Sequence, residues 1–198
     1  MIMTKKIIVI IGLLMFGCQT KQSDDLFKSA ILSEAFSENE ISDLKKVMKF
    51  FDDEIKLSFS SESLINSYSV FFKKSKEMMN EGQLYINISS SKQDSLFDNL
   101  NDNTINKIWV KGKRYNEKDT TEIISLDINS KYIQFLRSLS KKNNLIQGYV
   151  NQLIVAGDIS PNKSFFFIQN FDSLNFNSEE LRLIMAIHYL TLNNQFEE

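Results

Sequence analysis

The stretch Ser37-Glu38-Asn39-Glu40-Ile41-Ser42-Asp43-Leu44-Lys45-Lys46-Val47-Met48-Lys49-Phe50-Phe51-Asp52-Asp53-Glu54-Ile55 decides the fold class. Ser37 and Glu40 stand three apart, the spacing of a capping box, in which side chains at the two positions satisfy free backbone N–H groups. Phe36 and Ile41 flank them at the staple positions. Ile41, Leu44, Val47, Met48, Phe51 and Ile55 then recur every three or four residues, one face of an amphipathic helix. Asp43, Lys45, Lys46, Lys49, Asp52 and Asp53 are expected mostly on the opposite, solvated face.

Working outward, the same period dominates. A shorter helix precedes this one, with Leu26, Phe27, Ala30 and Ile31 inward. A second long helix is expected over 62–81, striped by Leu64, Ile65, Tyr68, Phe71, Phe72 and Met79, with Gly82 as its left-handed stop. Residues 84–88 read either as a short strand or as a linking turn. Helical pieces are expected over 93–100 and 104–109, with Leu96, Phe97, Leu100, Ile108 and Trp109 facing in. The interval Lys111–Thr121 is the most polar of the chain and reads as an exposed loop.

The C-terminal half returns to helical spacing. Asn129 is placed to cap a helix carrying Tyr132, Ile133, Phe135, Leu136 and Leu139. The next carries Leu145, Ile146, Tyr149, Val150, Leu153 and Ile154 and ends at Gly157. Ser160-Pro161 is an N-cap followed by proline in the first turn, where a missing N–H costs nothing. Phe165–Ile168 then reads as a short buried helix, with a strand as the alternative. Asn177 or Ser178 opens the last helix, with Glu179 and Glu180 suited to its dipole and Leu181, Leu183, Ile184, Ile187, Leu190 and Leu192 inward. No repeat of solenoid period occurs. The expectation is an all-α fold, a single irregular helical bundle of about six to eight helices over residues 26–198.

Composition agrees. Hydrophobic residues make up 42% and charged residues 24%, as in ordinary globular proteins. The 16 Phe point to a Phe-rich core. A single Pro and six Gly disfavour a turn-rich β-sandwich. The formal charge of −2 argues against nucleic acid as a partner.

The N-terminus reads differently. Lys5 and Lys6 precede the apolar run Ile7–Phe16, which ends in Gly17-Cys18 and is followed at once by polar residues. A positive n-region, a short apolar h-region and a small residue before the cut describe an export signal. The run is far short of the roughly 20 apolar residues of a membrane span. Cys18 is the sole cysteine, so no disulfide framework exists.

Met15-Phe16-Gly17-Cys18 resembles a bacterial lipobox, of the looser kind found in lipoproteins of the Bacteroidota, with Phe16 bulkier than usual. The resemblance implies a signal peptide over 1–17, lipidation of Cys18, a tether over 18–25 and an address in the cell envelope, the outer membrane first. Loss of Lys5 and Lys6 with the signal takes the formal charge from −2 to −4. Two or more acyl chains hold a protein firmly, whereas one is marginal. Ser23-Asp24-Asp25-Leu26 is similar to the acidic signal that sends some of these lipoproteins to the cell surface. The segments Ala156–Pro161 and Ala186–Leu192 resemble uncharacterised, all-helical lipoproteins of the same phylum. Asp94-Ser95-Leu96, Asp119-Thr120-Thr121 and Asp172-Ser173-Leu174 match the O-glycosylation sequon of exported Bacteroidota proteins, which makes Ser95, Thr120 and Ser173 acceptors, Thr120 foremost.

Catalytic patterns are sparse. His188 is the lone histidine, so a Cys/His zinc cluster has no ligand set. It reads as a structural residue at the edge of the core. Phosphate-binding glycine loops are absent. Asp52, Asp53 and Glu54, or Glu179 and Glu180, are the acids available for carboxylate chemistry, but neighbours on a helix diverge by about 100°. The solvated-face and dipole readings are preferred for them. Residues 99–104 offer calcium-like oxygens without the glycine and terminal Glu, and read as a capping turn. No catalytic residue, metal ligand or cofactor is assigned. The expectation is a membrane-anchored, non-catalytic module binding an envelope protein or a glycan. The alternatives are a carboxylate-dependent hydrolase of envelope polymers and a structural spacer.

Overall fold

The computed structural model describes residues 25–59, 63–83, 85–86, 88–115, 120–159 and 161–196. The signal segment, Cys18 and the tether up to residue 24 lie outside them, as do residues 60–62, 84, 87, 116–119 and 160. Within them the chain is predominantly α, a helical bundle, as its periodicity predicts. The helices are α1 (Ala30–Ala35), α2 (Glu38–Phe59), α3 (Leu64–Asn80), α4 (Ser90–Asp98), α5 (Asp102–Asn106), α6 (Lys131–Ser140), α7 (Asn144–Ala156), α8 (Pro161–Gln169) and α9 (Glu179–Phe196). Short 3-10 turns sit at Leu26–Lys28 and Phe171–Ser173. The buried apolar side chains form one cluster running from Leu26 to Leu192.

Local signals behave largely as read. The Ser37 backbone N–H donates to Glu40 Oε2 at 2.7 Å, half of the expected capping box. Phe36 is buried, with its ring edge-on to Phe135 at 6.1 Å. Gly157 takes φ +78° and stops α7, a conformation that costs glycine nothing for want of a Cβ. Ser178 Oγ accepts from Leu181 N–H and opens α9. One cap shifts: Ser130, rather than Asn129, accepts from Ile133 N–H at the start of α6.

The last helix organises the rest. From Leu181 to Leu192 every residue but Arg182 is buried. A helix apolar on all sides belongs inside a protein, and the other elements wrap it. Phe51 of α2 stacks on Tyr189 at 5.7 Å, and Phe71 of α3 meets the same ring edge-on at 5.1 Å. Phe167 of α8 packs edge-on to His188 at 5.1 Å. Each large side chain buried this way contributes about 1.5–3 kcal/mol.

The polar residues of α9 bind its neighbours one by one. Arg182 Nη1 donates to Asp52 Oδ2 on α2 at 2.7 Å. Thr191 Oγ1 accepts from Trp109 Nε1 at 2.8 Å. Gln93 of α4 donates to the Leu190 carbonyl and accepts from Asn193. A hydrogen bond to a polar group that burial has stripped of water is costly to break, so these contacts fix where each element sits.

The acids of α2 differ from the expected solvated face. Glu40, Asp43, Asp52 and Glu54 are all buried. Asp43 accepts from Asn101 N–H at 2.9 Å and Thr104 Oγ1 at 2.8 Å, holding the start of α5. Glu54 pairs with Lys92 of α4 and Glu40 with Lys107. Asp53, paired with Lys49 at 2.5 Å, lies on the surface as expected. The rule that acids face water fails because a partner waits across the fold for each buried one.

Two adjacent acids therefore have opposite weights. Asp52→Ala strands Arg182 and is expected to cost about 3 kcal/mol or more in chemical denaturation. Asp53→Ala removes an exposed pair and is expected to cost under about 1 kcal/mol. Equal losses for the two variants would contradict this arrangement.

Candidate functional site

The interval expected to be a polar loop is instead a hairpin. β1 (Trp109–Tyr115) pairs antiparallel with β2 (Thr120–Leu126), with Lys111 opposite Ile124 and Lys113 opposite Glu122. The charges of residues 111–121 masked a second pattern. Thr120, Thr121, Ile123 and Ile124 are β-branched, and Trp109 and Tyr115 are aromatic, the residue types that suit a pleated, half-buried surface. The expected helix over 104–109 accordingly stops at Asn106, and Trp109 begins β1.

The two edges of this hairpin differ. On β2, Ile124 N–H donates to Asn194 Oδ1 at 2.7 Å, and the Ile124 carbonyl accepts from Gln195 Nε2 at 3.1 Å. Leu126 N–H donates to Asp158 Oδ1 at 3.2 Å, and Gln195 Nε2 also reaches Asp158 Oδ2. The last turn of α9 and the residue after Gly157 thus cap this edge with side chains at Ile124 and Leu126. Because the peptide groups of Ile124 point away from β1, Ile124 and Lys111 form a non-hydrogen-bonded pair. The N–H and C=O groups of Lys111, and two residues on those of Lys113, therefore point outward from β1. Among the described residues neither has a hydrogen-bond partner on that side.

β1 is also the more exposed strand. Val110 is 51% and Tyr115 76% exposed. A groove of about 230 Å³ runs beside its first half, between the hairpin and α4–α5. Phe97, Leu100, Ile105, Trp109 and Ile124 give it apolar walls; Asp98, Asp102 and Lys111 stand at its rim. The Trp109 and Phe97 rings meet edge-on at 5.2 Å. Trp109, Lys111, Lys113 and Tyr115 share one face of the strand by alternation, so the groove and the two lysines lie on the same side.

A second cleft, of about 680 Å³, lies where the described chain begins, lined by residues of 25–31, by Leu139, Lys142, Asn143 and Ile146, and by Glu180. Asp25 in its wall pairs with Lys28, whose ammonium holds the carboxyl below the usual carboxylate range. Glu180 accepts from Ser178 Oγ at 2.6 Å, and its neighbour Glu179 accepts from Leu26 N–H at 3.0 Å.

The remaining sequence candidates fall in separate places. Cys18 lies outside the described residues. Ser95 is exposed on α4 and donates to the Ser91 carbonyl; Ser173 is exposed in the 3-10 turn; Thr120 is exposed as the first residue of β2. Residues 99–104 form the capping turn expected of them, with Asn101 Oδ1 accepting from Asn103 N–H. Among the described residues no three His, Cys, Asp or Glu come together to hold a metal ion.

The acids carry perturbed ionisation for structural reasons. Burial raises Asp52 above the usual range despite Tyr68 Oη, at 2.7 Å, and Arg182. For Glu40 and Asp43, burial pushes upward, but Lys107 and the Ser37 N–H, or Lys46 with Asn101 and Thr104, outweigh it and lower both.

His188 corrects a placement. It lies fully inside the core, not at its edge. Its Nδ1 is 3.0 Å from Tyr149 Oη, whereas its Nε2, Tyr132 Oη and Tyr189 Oη are buried without partners. The cue was present in the sequence: His188 interrupts an apolar run that has no polar face. Sequence reasoning also missed Gln93, Asp158, Asn194 and Gln195, because a polar residue that caps a distant strand looks like any other surface amide.

No protein-family model, no curated protein and no solved structure matches the chain.

Burial lowers the His188 pKa from 6.5 to about 3. The folded state therefore keeps the ring neutral while the unfolded state binds a proton below about 6.5. Stability is full above that pH and falls by about 1.4 kcal/mol per pH unit as pH drops toward the folded value. Asp52, raised on folding, acts in the opposite direction and only in the carboxylate range. With a single histidine in the chain, one imidazole signal reports the outcome: it is expected to stay neutral in NMR from pH 8 to pH 5. Titration near 6.5 would contradict the burial.

Proposed function

We propose that this protein is a lipid-anchored envelope lipoprotein whose helical domain is a non-catalytic module binding another protein. The single observation that carries the binding role is the open edge of β1 beside an apolar groove. Proteins usually cover or blunt such an edge; this chain covers β2 at Ile124 and Leu126 with three side chains, whereas β1 is blunted only by the charges of Lys111 and Lys113, with its backbone groups left open. The anchor rests on Met15-Phe16-Gly17-Cys18 and the apolar run before it. Seven residues after Cys18 bring the chain to Asp25, a reach of roughly 25 Å when extended, which would hold the domain close to an outer-membrane or cell-surface bilayer.

A hydrolytic role is less well supported. Glycoside hydrolysis needs one acid kept protonated and a second across the substrate. Asp52 is the carboxyl raised by burial, but it is spent on Tyr68 and Arg182 and lines neither cleft described above. Asp25, which does line one, is lowered. Thr120, exposed on the hairpin, is the foremost of the three sequon sites for O-linked sugar.

Cross-linking in intact cells, followed by capture on a C-terminal tag, is expected to recover one stoichiometric envelope protein. Recovery of none, with saccharide released from cell wall, would overturn the binding role in favour of hydrolysis. Fatty-acid labelling is expected for the unmutated chain and lost in Cys18→Ala; no label on either would remove the anchor. Intact mass of the native protein reads both modifications, and a mass equal to the lipidated polypeptide alone would end the glycosylation proposal.

A further inference from the structure

We infer that β1 accepts a partner protein's extended segment as a third strand, and that the segment carries a large apolar residue two positions from an acidic one. This rests on the binding-module reading and specifies what is bound. The outward N–H and C=O groups of Lys111 and Lys113 supply the main-chain half of strand addition, in which backbone hydrogen bonds give affinity and pockets for alternate side chains give specificity. The groove walled by Phe97, Trp109 and Ile124 opens on the face that Lys111 and Lys113 share. A strand laid against β1 therefore places every second side chain on that face. One falls over the groove, where burying an apolar group is favourable and where Asp98 and Asp102 at the rim repel an acid. The next, two residues along, lies beside Lys113, whose ammonium makes no ion pair among the described residues even with Glu122 directly across the hairpin.

The same charges disfavour a second copy of this chain. Two β1 edges paired antiparallel about Gly112 would set Lys111 against Lys113 twice, and like charges directly opposite are destabilising. The edge thus disfavours its own copy and favours an acidic strand.

The test pans a random octapeptide library against the purified full-length protein and titrates the selected peptides. Enriched sequences are expected to hold Asp or Glu at two-residue spacing from Leu, Ile, Phe or Val, and their binding to shift the amide NMR signals of residues 110–114. Lys113→Pro removes an outward N–H without touching the pairing to β2 and is expected to weaken binding about tenfold. The joint change Lys111→Glu with Lys113→Glu leaves the edge backbone intact and is expected to turn the preference toward basic peptides, which keeps the test decisive should the proline variant fold poorly. Enrichment without acidic residues, shifts confined to surfaces other than β1, or no enrichment at all would overturn the inference. A stoichiometric partner cross-linked elsewhere on the domain would overturn it too, while leaving the binding role standing.

Discussion

A helix buried on every side can find partners for its polar side chains only inside the protein, and the rest of this fold follows from the partners α9 takes, although His188 Nε2 and Tyr189 Oη are left without one. Arg182 takes Asp52, Thr191 takes Trp109, Gln93 reaches the Leu190 carbonyl, and Asn194 with Gln195 holds Ile124. Apolar contacts around the helix are strong but non-directional. The hydrogen bonds add direction, because each has one partner at one height along the axis. α2, α4 and the hairpin are positioned by them as much as by the Phe-rich packing.

This constraint reaches the surface through the end of the helix. Because Asn194 and Gln195 cap β2, the hairpin docks with β1 outward. The covered edge and the open one are two consequences of the same turn of α9. Asp158 joins in from the end of α7 and takes the N–H of Leu126. The proposed binding edge is thus anchored to the most buried element of the protein, which suits a site that must present a rigid template.

Much of the fold was legible in the chain, and the failures share a cause. The capping box at Ser37 and Glu40, the stripe of α2 and the stop at Gly157 are local, and local signals survive tertiary context. The hairpin was hidden because five cations and acids in residues 111–118 outweighed the β-branched run from Thr120 to Ile124. Asp43, Asp52 and Glu54 looked solvated because their partners, Thr104, Arg182 and Lys92, are distant in sequence. His188 looked peripheral because periodicity alone does not distinguish a helix with one apolar face from a helix wrapped on all sides. The candidate site depends wholly on such long-range pairings, so the anchor and the expectation of a binding module came from sequence, but the edge and groove did not.

Site-resolved hydrogen exchange tests the central claim most directly. The amides of Ile124 and Leu126 are held by side chains of the C-terminal half, so they are expected to exchange slowly, alongside those of residues 183–192. The outward amides of Lys111 and Lys113 are expected to exchange orders of magnitude faster. Protection at Lys111 and Lys113 in the isolated protein, with rapid exchange at Ile124, would reverse the two edges and contradict the account.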